Sequence, residues 1–459
     1  DGLEPTFTSN KIAGGTRIKE IHSYDPNIPY PTVIKKYYYI NGFNPESPDT
    51  TSVLSSGILG GKAQYWWPDY QPKAKGSFTY SQKVFSTQSV IPATENSLGS
   101  HIGYTNVVEW SSTNGWTIES FTNFDNGYLD SAPEGYLQET TTPYEPYNSK
   151  AFLRGKKLFT KVYLQNGSPA SKTEYAYTAL GSLDNNSARS TKVLLTQLCN
   201  SGNVVLEGTA YLLSTQKFLP TEETTYTYDQ NNPSKYSFSS KITDYKSNGQ
   251  VKEVHYTDSK TSSVKVPITG SSTLVYNRRN ITAYKYPNDY TNGIFPAMIA
   301  KNIIAAPIEI TTSLATVNAG SAVFTPLKWQ KVSYKSVNST YLPEKVESRL
   351  GATTAASTDI EFLTYDLRGN LTSFKEKNGS TTKLEYYGTS DIGKTDLLKK
   401  RTDAEGTSVE QSTSYDYKPV VGVSKITDPS GKESHYLYDD FNRLTEIRDS
   451  SATGNLIES

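Results

Sequence analysis

The 459-residue sequence predicts an all-β fold in which stacked β-hairpins form a continuous sheet. Three observations predict this fold. A short template that begins with Tyr-Asp recurs in the last hundred residues. Asn-Gly, the strongest short-range hairpin signal, occurs at seven positions along the chain. The composition is aromatic but weakly apolar, with 12% aromatic residues, 35 Tyr and a mean hydropathy of −0.57. Tyrosine suits sheets that are half solvated, because its ring packs while its hydroxyl stays in water.

The template reads YDLRGNLTSF from Tyr365 and YDDFNRLTEI from Tyr438. Both follow the order Tyr, Asp, two variable residues, Gly or Asn, Asn or Arg, Leu, Thr. Two further tyrosines, Tyr387 and Tyr415, lie between them, so the four are 22, 28 and 23 residues apart. A period of this length is typical of a stacked repeat. We predict that the following residues hold the repeat together: Tyr365, Asp366, Gly369, Leu371, Tyr438, Asp439, Arg443 and Leu444.

Each repeat reads as a β-hairpin. Thr427–Gly431 is a turn, with Pro fixing one φ angle and Gly free to adopt a positive one. The run Glu433–Asp439 then alternates, placing Tyr436 and Tyr438 on one face and His435 on the other. A second turn and a return strand follow. A single hairpin cannot bury enough apolar surface to stand alone, so the hairpins must stack.

The earlier part of the chain shows the same hairpin pattern less regularly. We predict hairpins around Asn114, Asn166 and Asn248, each with a strand on both sides of an Asn-Gly turn. Helix is scarce, and the one candidate lies near 295–306 and ends before Pro307. These signals divide the chain into three segments. They are an N-terminal β-rich segment (1–148), degenerate hairpin repeats (149–350) and the repeats with the sharp template (351–459).

The template resembles the YD-repeat family, which includes bacterial rearrangement-hotspot (Rhs) proteins, the shell-forming subunits of insecticidal toxin complexes, and animal teneurins. The match is sharpest from Thr364 to Ser459. The resemblance implies a YD-repeat array that forms a coiled sheet or part of a hollow shell. It implies a secreted or cell-surface protein of a Gram-negative bacterium, whose partners are its own C-terminal cargo or other protein subunits. We expect this chain to be a fragment of a larger one.

Charge and cysteine content point away from several function classes. Lys plus Arg and Asp plus Glu each number 46, whereas nucleic-acid binders usually carry a basic excess. We therefore expect no nucleic-acid partner. No apolar run reaches the length of about 18 residues that predicts a membrane span. The single cysteine, Cys199, excludes an intramolecular disulfide and a Cys-based zinc cluster. We expect no metal and no cofactor.

The sequence also contains no recognisable catalytic motif. It has no Gly-rich phosphate loop, no His-Glu-x-x-His and no Gly-x-Ser-x-Gly. Adjacent carboxylates such as Glu222 and Glu223 would point to opposite faces of a strand, so they could not flank one bond. We therefore predict no catalytic residues and no enzymatic activity.

One aromatic cluster has two interpretations. QYWWPDY brings Tyr65, Trp66, Trp67 and Tyr70 together, and aromatic platforms can stack against sugar rings. The interpretation that we favour is an aromatic plug over a sheet edge. Two functional hypotheses follow. The first is a non-catalytic encapsulating region of a polymorphic-toxin-like carrier. The alternative is a cell-surface adhesin or carbohydrate-binding module with this cluster as its platform.

Overall fold

The computed structural model describes residues 9–10, 12, 15–48, 53–59, 66–72, 80–86, 102–131, 148–182, 186–197, 204–259, 278–318 and 321–458. The chain divides into two compact units, Asp1–Arg279 and Asn280–Ser459. This boundary falls inside the predicted segment 149–350. It therefore does not coincide with residue 351, where the segment with the sharp template was predicted to begin. The three predicted segments stay a prediction about the repeats. Cys199 lies outside the described residues.

The described residues of unit 1 form β-strands and two short 3₁₀ helices, at Phe124–Asn126 and Ala151–Leu153. Its described strands are β1 (Glu20–Ser23), β2 (Val33–Tyr38), β3 (Gly57–Leu59), β4 (Trp66–Pro72), β5 (Tyr80–Ser86), β6 (Ile102–Tyr104), β7 (Asn106–Ser111), β8 (Gly115–Phe121), β9 (Lys157–Tyr163), β10 (Pro169–Ala179), β11 (Ser187–Gln197), β12 (Val204–Ser214), β13 (Phe218–Tyr228), β14 (Tyr236–Tyr245) and β15 (Val251–Asp258).

The main sheet of unit 1 is antiparallel, with neighbours in the order β1, β2, β7, β8, β9, β10, β13, β14, β15. The pairs β3–β6, β4–β5 and β11–β12 form separate two-stranded sheets. The hairpins predicted around Asn114, Asn166 and Asn248 are β7–β8, β9–β10 and β14–β15. Around β7–β9 the sheet has a packed core: Val108 is fully buried, and Trp116 stacks on Tyr163 with ring centroids 5.3 Å apart.

Unit 2 contains a short helix and a long run of strands. Its strands are β16 (Arg278–Lys285, which begins at the unit boundary), β17 (Glu309–Asn318), β18 (Ser321–Val337), β19 (Thr340–Leu350), β20 (Ser357–Tyr365), β21 (Leu371–Glu376), β22 (Thr381–Tyr386), β23 (Leu398–Asp403), β24 (Gln411–Lys418), β25 (Gly422–Thr427), β26 (Glu433–Tyr438), β27 (Leu444–Asp449) and β28 (Leu456–Glu458). A 3₁₀ helix at Pro287–Asp289 and helix α1 at Phe295–Ala300 lie between β16 and β17.

From β17 to β28 every strand pairs with the next one in antiparallel orientation. The result is a meander, in which the turns that follow even-numbered strands lie along one edge and those that follow odd-numbered strands lie along the other. The all-β prediction of stacked hairpins in a continuous sheet is confirmed.

Helix α1 is shorter than the sequence suggested, because it ends at Ala300 rather than near residue 306. Asn302 adopts a positive φ of 59°, and the Ile303 amide donates to the Met298 carbonyl at 2.9 Å. A left-handed residue just past the last turn closes a helix in this way. The side chain of Met298 in the helix is fully buried, and so is the side chain of Ala315 in β17.

Candidate functional site

Five tyrosines of unit 2 occupy equivalent positions. Each directly follows a point at which its strand shifts register against the next strand. They lie near the ends of β18, β20, β22, β24 and β26, and therefore along one edge of the meander, which we call the tyrosine edge. They are Tyr334, Tyr365, Tyr386, Tyr417 and Tyr438, which are separated by 31, 21, 31 and 21 residues.

The register shift explains why the template ends in Leu-Thr. Tyr365 pairs with Leu371, and Thr372 is the extra residue of a β-bulge, left without a partner on the opposing strand. In the second template Tyr438 and Leu444 pair in the same way, again followed by a bulged threonine. A bulge bends its strand and increases the local twist, so each of these positions is a point at which the sheet can bend.

The tyrosine hydroxyl ties its strand to the preceding strand. It donates to a backbone carbonyl in three of the five cases: Tyr365 to Pro343 at 2.6 Å, Tyr386 to Leu371 at 2.8 Å and Tyr438 to Val423 at 2.8 Å. Each of these rings therefore links three strands, because its backbone also pairs with the strand that follows. Burial raises the pKa of Tyr365 to about 12, which keeps the hydroxyl protonated and able to donate.

Unit 1 contains the same arrangement, although the template is not recognisable there. Tyr177 and Tyr245 each follow a register shift. Their hydroxyls donate to carbonyls of the preceding strand in the sheet, to Lys157 at 2.9 Å and to Pro220 at 2.7 Å. The combination of a register shift and a tyrosine hydroxyl bond therefore extends over more of the chain than the Tyr-Asp template does.

The aspartate of the template organises the turn. Oδ1 of Asp366 accepts from the amides of Arg368 and Asn370 at 2.8 and 2.9 Å, and Oδ1 of Asp439 accepts from the amides two and four residues later. Gly369 then takes a positive φ of 91°, which glycine adopts without strain. The turn is therefore fixed by an aspartate at its start and a left-handed residue at its end.

These hydrogen bonds lower the pKa of the turn aspartates. For Asp366 burial acts in the opposite direction, but the amide and side chain of Asn370 and the amide of Arg368 together outweigh it. For Asp439 the backbone and side chain of Arg443 are the main cause. Both carboxylates are therefore held in the charged form that the turn amides require.

Two of the four tyrosines chosen from the sequence are not the structural anchors. The equivalent positions are Tyr386 and Tyr417 rather than Tyr387 and Tyr415. Tyr387 lies beyond the end of β22, and its hydroxyl donates to the carbonyl of Tyr415 at 2.8 Å. Adjacent strand residues face opposite sides, so the shift of one residue from Tyr387 to Tyr386 changes the face on which the ring lies. The equivalent tyrosines recur in pairs every 52 residues, as from Tyr334 to Tyr386 and from Tyr365 to Tyr417. This period is the signal that would have identified Tyr386 and Tyr417.

The structure places the remaining predicted residues at the turn. Arg443 pairs with Asp439 at 2.7 Å, but its side chain is 74% exposed, and Leu444 is also exposed. Surface ion pairs of this kind contribute little stability. Gly422 is a residue that the sequence analysis missed. A Cβ atom at this position would lie 2.8 Å from the Tyr438 hydroxyl, so a larger residue there would force the Tyr438 side chain to shift.

The side chains of the predicted sugar platform lie outside the described part of the chain. Tyr65 lies outside the described residues, and Trp66, Trp67 and Tyr70 lie on β4, of which only the backbone pairing with β5 is described. The platform stays a prediction. Within the described ranges, no group of three or more His, Cys, Asp or Glu could hold a metal ion. None of the described helices is long and apolar enough for a membrane crossing.

The sheet from β19 to β28 is a single layer with two different faces. Between residues 323 and 458 the structure buries only two side chains, Thr382 and Thr402. One face carries aromatic and apolar pairs such as Phe362 with Phe374. The opposite face carries short-range ion pairs, including Lys425 with Glu433 at 2.8 Å. Both faces remain partly accessible to solvent.

These features define a β-hairpin repeat protein whose distinguishing elements are a bulge tyrosine and a turn aspartate. Residues 422–456, which contain β25 to β27, match the family model described as RHS Repeat. These residues therefore carry an Rhs repeat, and the resemblance to Rhs and YD-repeat proteins that the template predicts is confirmed.

Several solved structures resemble the chain at low identity. They include a crystal structure of TcdB2-TccC3-TEV (12% identity, TM-score 0.41, 91% of this chain and 21% of that chain) and one of TcdB2-TccC3 (11%, 0.42, 91% and 22%). A structure of the Photorhabdus luminescens Tc holotoxin pore matches at 13% identity and a TM-score of 0.41, over 76% of this chain and 20% of that chain. The chain thus spans about a fifth of the length of these structures. No curated protein matches the sequence.

Proposed function

We propose that this chain forms part of the wall of a hollow β shell that encloses a cargo without catalysing a reaction. The observation that carries the proposal is the single-layer sheet of residues 323–458, in which no hydrophobic side chain is buried. A sheet in a compact enzyme domain normally buries one face against a second layer. In a wall that separates an interior from the solvent, both faces of the sheet contact water.

The interactions that stabilise this sheet are also consistent with a role as part of a shell wall. Its stability is distributed over backbone pairing, tyrosine hydroxyls and turn aspartates, and it recurs from one hairpin to the next. Such repeat arrays can extend over long distances because each unit depends mainly on its neighbours. The recurring bulge next to each tyrosine supplies curvature, which a sheet needs if it is to bend around a volume.

The charged face suits contact with a chain that must not be bound tightly. Its ionic groups are paired locally: Glu433 accepts from Lys425 and lies 3.0 Å from His435, and Arg448 donates to Glu446 at 2.6 Å. These ionic groups are therefore less available to an enclosed polypeptide. We propose that the cargo is the C-terminal part of a longer parent protein or another subunit, and that the parent is secreted or exposed on the cell surface.

The test is single-particle electron microscopy of the full-length parent protein. We expect a closed, hollow shell with density inside it, and we expect limited proteolysis to spare the enclosed segment until the shell is opened by denaturant. An open sheet or rod with nothing enclosed would refute the proposal. The adhesin alternative would then be tested by glycan binding to the parent and to its Trp66→Ala/Trp67→Ala variant.

A further inference from the structure

The tyrosine edge carries a row of exposed apolar side chains at its turns. The turns after β20, β22, β24 and β26 each contain one large apolar residue that projects into solvent. We call these four residues the tip row: Leu367 (89% exposed), Ile392 (90%), Val420 (100%) and Phe441 (80%). Neighbouring turns on one edge lie two strands apart, so the tips follow each other at intervals of about 10 Å.

The opposite edge of the same sheet differs. Its turns, at 377–380, 404–410, 428–432 and 450–455, are mostly Gly, Ser, Thr, Asn and charged residues. Val409 is the one large apolar residue there that is strongly exposed, at 68%. Because both edges belong to one meander, general turn composition does not explain the difference. A surface that keeps four nearly fully exposed apolar side chains in line is typical of an interaction site.

Two ion pairs lie along the edge beside the tip row. Arg368 contacts Asp396, and Lys394 contacts Asp416, so each pair joins two successive turns or strand ends. Asn370 also donates to Asp396 at 2.9 Å. These contacts join the turns after β20 and β22 to each other and to the end of β24. They also reduce the cost of removing this part of the edge from water, because these charges are already paired.

The row is complementary to itself. Under a two-fold axis that passes between Ile392 and Val420, Leu367 would face the partner's Phe441, and Ile392 would face the partner's Val420. At about 150 Å² for each tip, four tips provide roughly 600 Å² per copy and roughly 1,200 Å² in total, which reaches the lower limit for a specific interface. A second copy of the chain has the same spacing between its turns, so its tips also lie about 10 Å apart.

We propose that the tip row is the interface through which two copies of this chain associate edge to edge. The association is weak to moderate, as the small area requires. The four turns contain five Asp but only three Lys or Arg, so two copies repel each other slightly. Dimerisation therefore strengthens when salt screens this repulsion, whereas binding to a basic partner would weaken as the salt concentration rises.

The experiment is sedimentation velocity of the 459-residue chain over a concentration series, at low and high salt. We expect a concentration-dependent dimer. The variant Ile392→Ser/Val420→Ser, which changes the pair nearest the axis, should weaken the dimer by at least about tenfold. The matched control, Val409→Ser on the opposite edge, should leave it unchanged. All three positions are exposed, and circular dichroism will show that the variants remain folded.

A second measurement tests the geometry. In a Cys199→Ser background, Ile392→Cys/Val420→Cys should form an intermolecular disulfide under mild oxidation, and Val409→Cys should not. A chain that stays monomeric at all concentrations would overturn the proposal, as would a dimer that the tip variants do not weaken. Sedimentation with phosphatidylcholine vesicles that is lost in Ile392→Ser/Val420→Ser, without any dimer, would instead identify the row as a lipid contact.

Discussion

Unit 2 contains two regions that are stabilised differently. Around helix α1 the chain has a closed core, in which Met298 and Ile308 are fully buried and Tyr286 is 6% exposed. From β19 to β28 the sheet is a single layer, and the only buried side chains are two threonines. The first region follows the usual rule that apolar side chains leave water. The second consists mostly of half-buried side chains joined by many separate hydrogen bonds.

The difference indicates how mutations should act in each region. Removal of atoms from a closed core leaves a cavity whose cost falls on a single site. In the single-layer array the same loss is smaller, because a half-buried ring already contacts water and the neighbouring hairpins continue the sheet. The array can therefore vary in sequence while it keeps its geometry, provided that the tyrosine hydroxyl and the turn aspartate remain.

The largest effect is expected in the core around α1. Met298→Ala should lower the free energy of unfolding of this region by about 2–5 kcal/mol, because the buried side chain leaves a cavity. The measurement is chemical denaturation, with hydrogen exchange to assign the loss to this region. Ile299→Ala, one residue later and 36% exposed, is the control and should cost clearly less. Equal losses at both positions would show that α1 is not a core element.

A smaller effect is expected at the tyrosine edge. The ring of Tyr438 is only half-buried, so Tyr438→Ala should cost about 1–3 kcal/mol rather than the larger loss of a fully buried aromatic. Tyr438→Phe, which removes only the bond to the Val423 carbonyl, should cost about 1 kcal/mol. Tyr436→Phe, on the same strand and the same face, should be nearly neutral. A neutral Tyr438→Phe would contradict the role of the hydroxyl.

The same site allows a sharper test of that contact. Gly422→Ala places a methyl group against the Tyr438 hydroxyl and should therefore destabilise the wild-type protein. In the Tyr438→Phe background the methyl group has room, so the cost of Gly422→Ala should largely disappear. Strictly additive losses in this double-mutant cycle would show that the two residues do not interact.

The smallest effect concerns the turn aspartates and pH. The pKa of Asp366 in the folded protein is lowered from 3.8, so its contribution to stability is fully present above that value and is lost as the pH falls through the folded pKa. Asp366→Asn keeps an acceptor oxygen but cannot titrate. It should therefore show a shallower loss of thermal stability below about pH 4 than the wild type. Asp440→Asn is the control, and an identical acid profile for Asp366→Asn and wild type would rule out the contribution.

Much of the fold could be predicted from local sequence. The Asn-Gly turns at Asn166 and Asn248 and the Asp-Pro-Ser-Gly turn at Asp428 have conformations that depend on only four or five residues. The strand that ends at Tyr438 shows its alternation directly in the sequence. The bulges could not be predicted, because each adds one residue relative to a partner strand, and the sequence of one strand does not specify its register with another.

Turn residues and strand alternation act within a few positions, so the amino-acid sequence was sufficient to predict an array of β-hairpins. The folded structure was needed to show that Tyr386 and Tyr417 are anchors and that Tyr387 is not. It was also needed to show that four turn tips share one edge, and that the sheet stays a single layer. These properties could not be predicted because they depend on pairing between strands. A shift of one residue in that pairing exchanges the two faces of a strand.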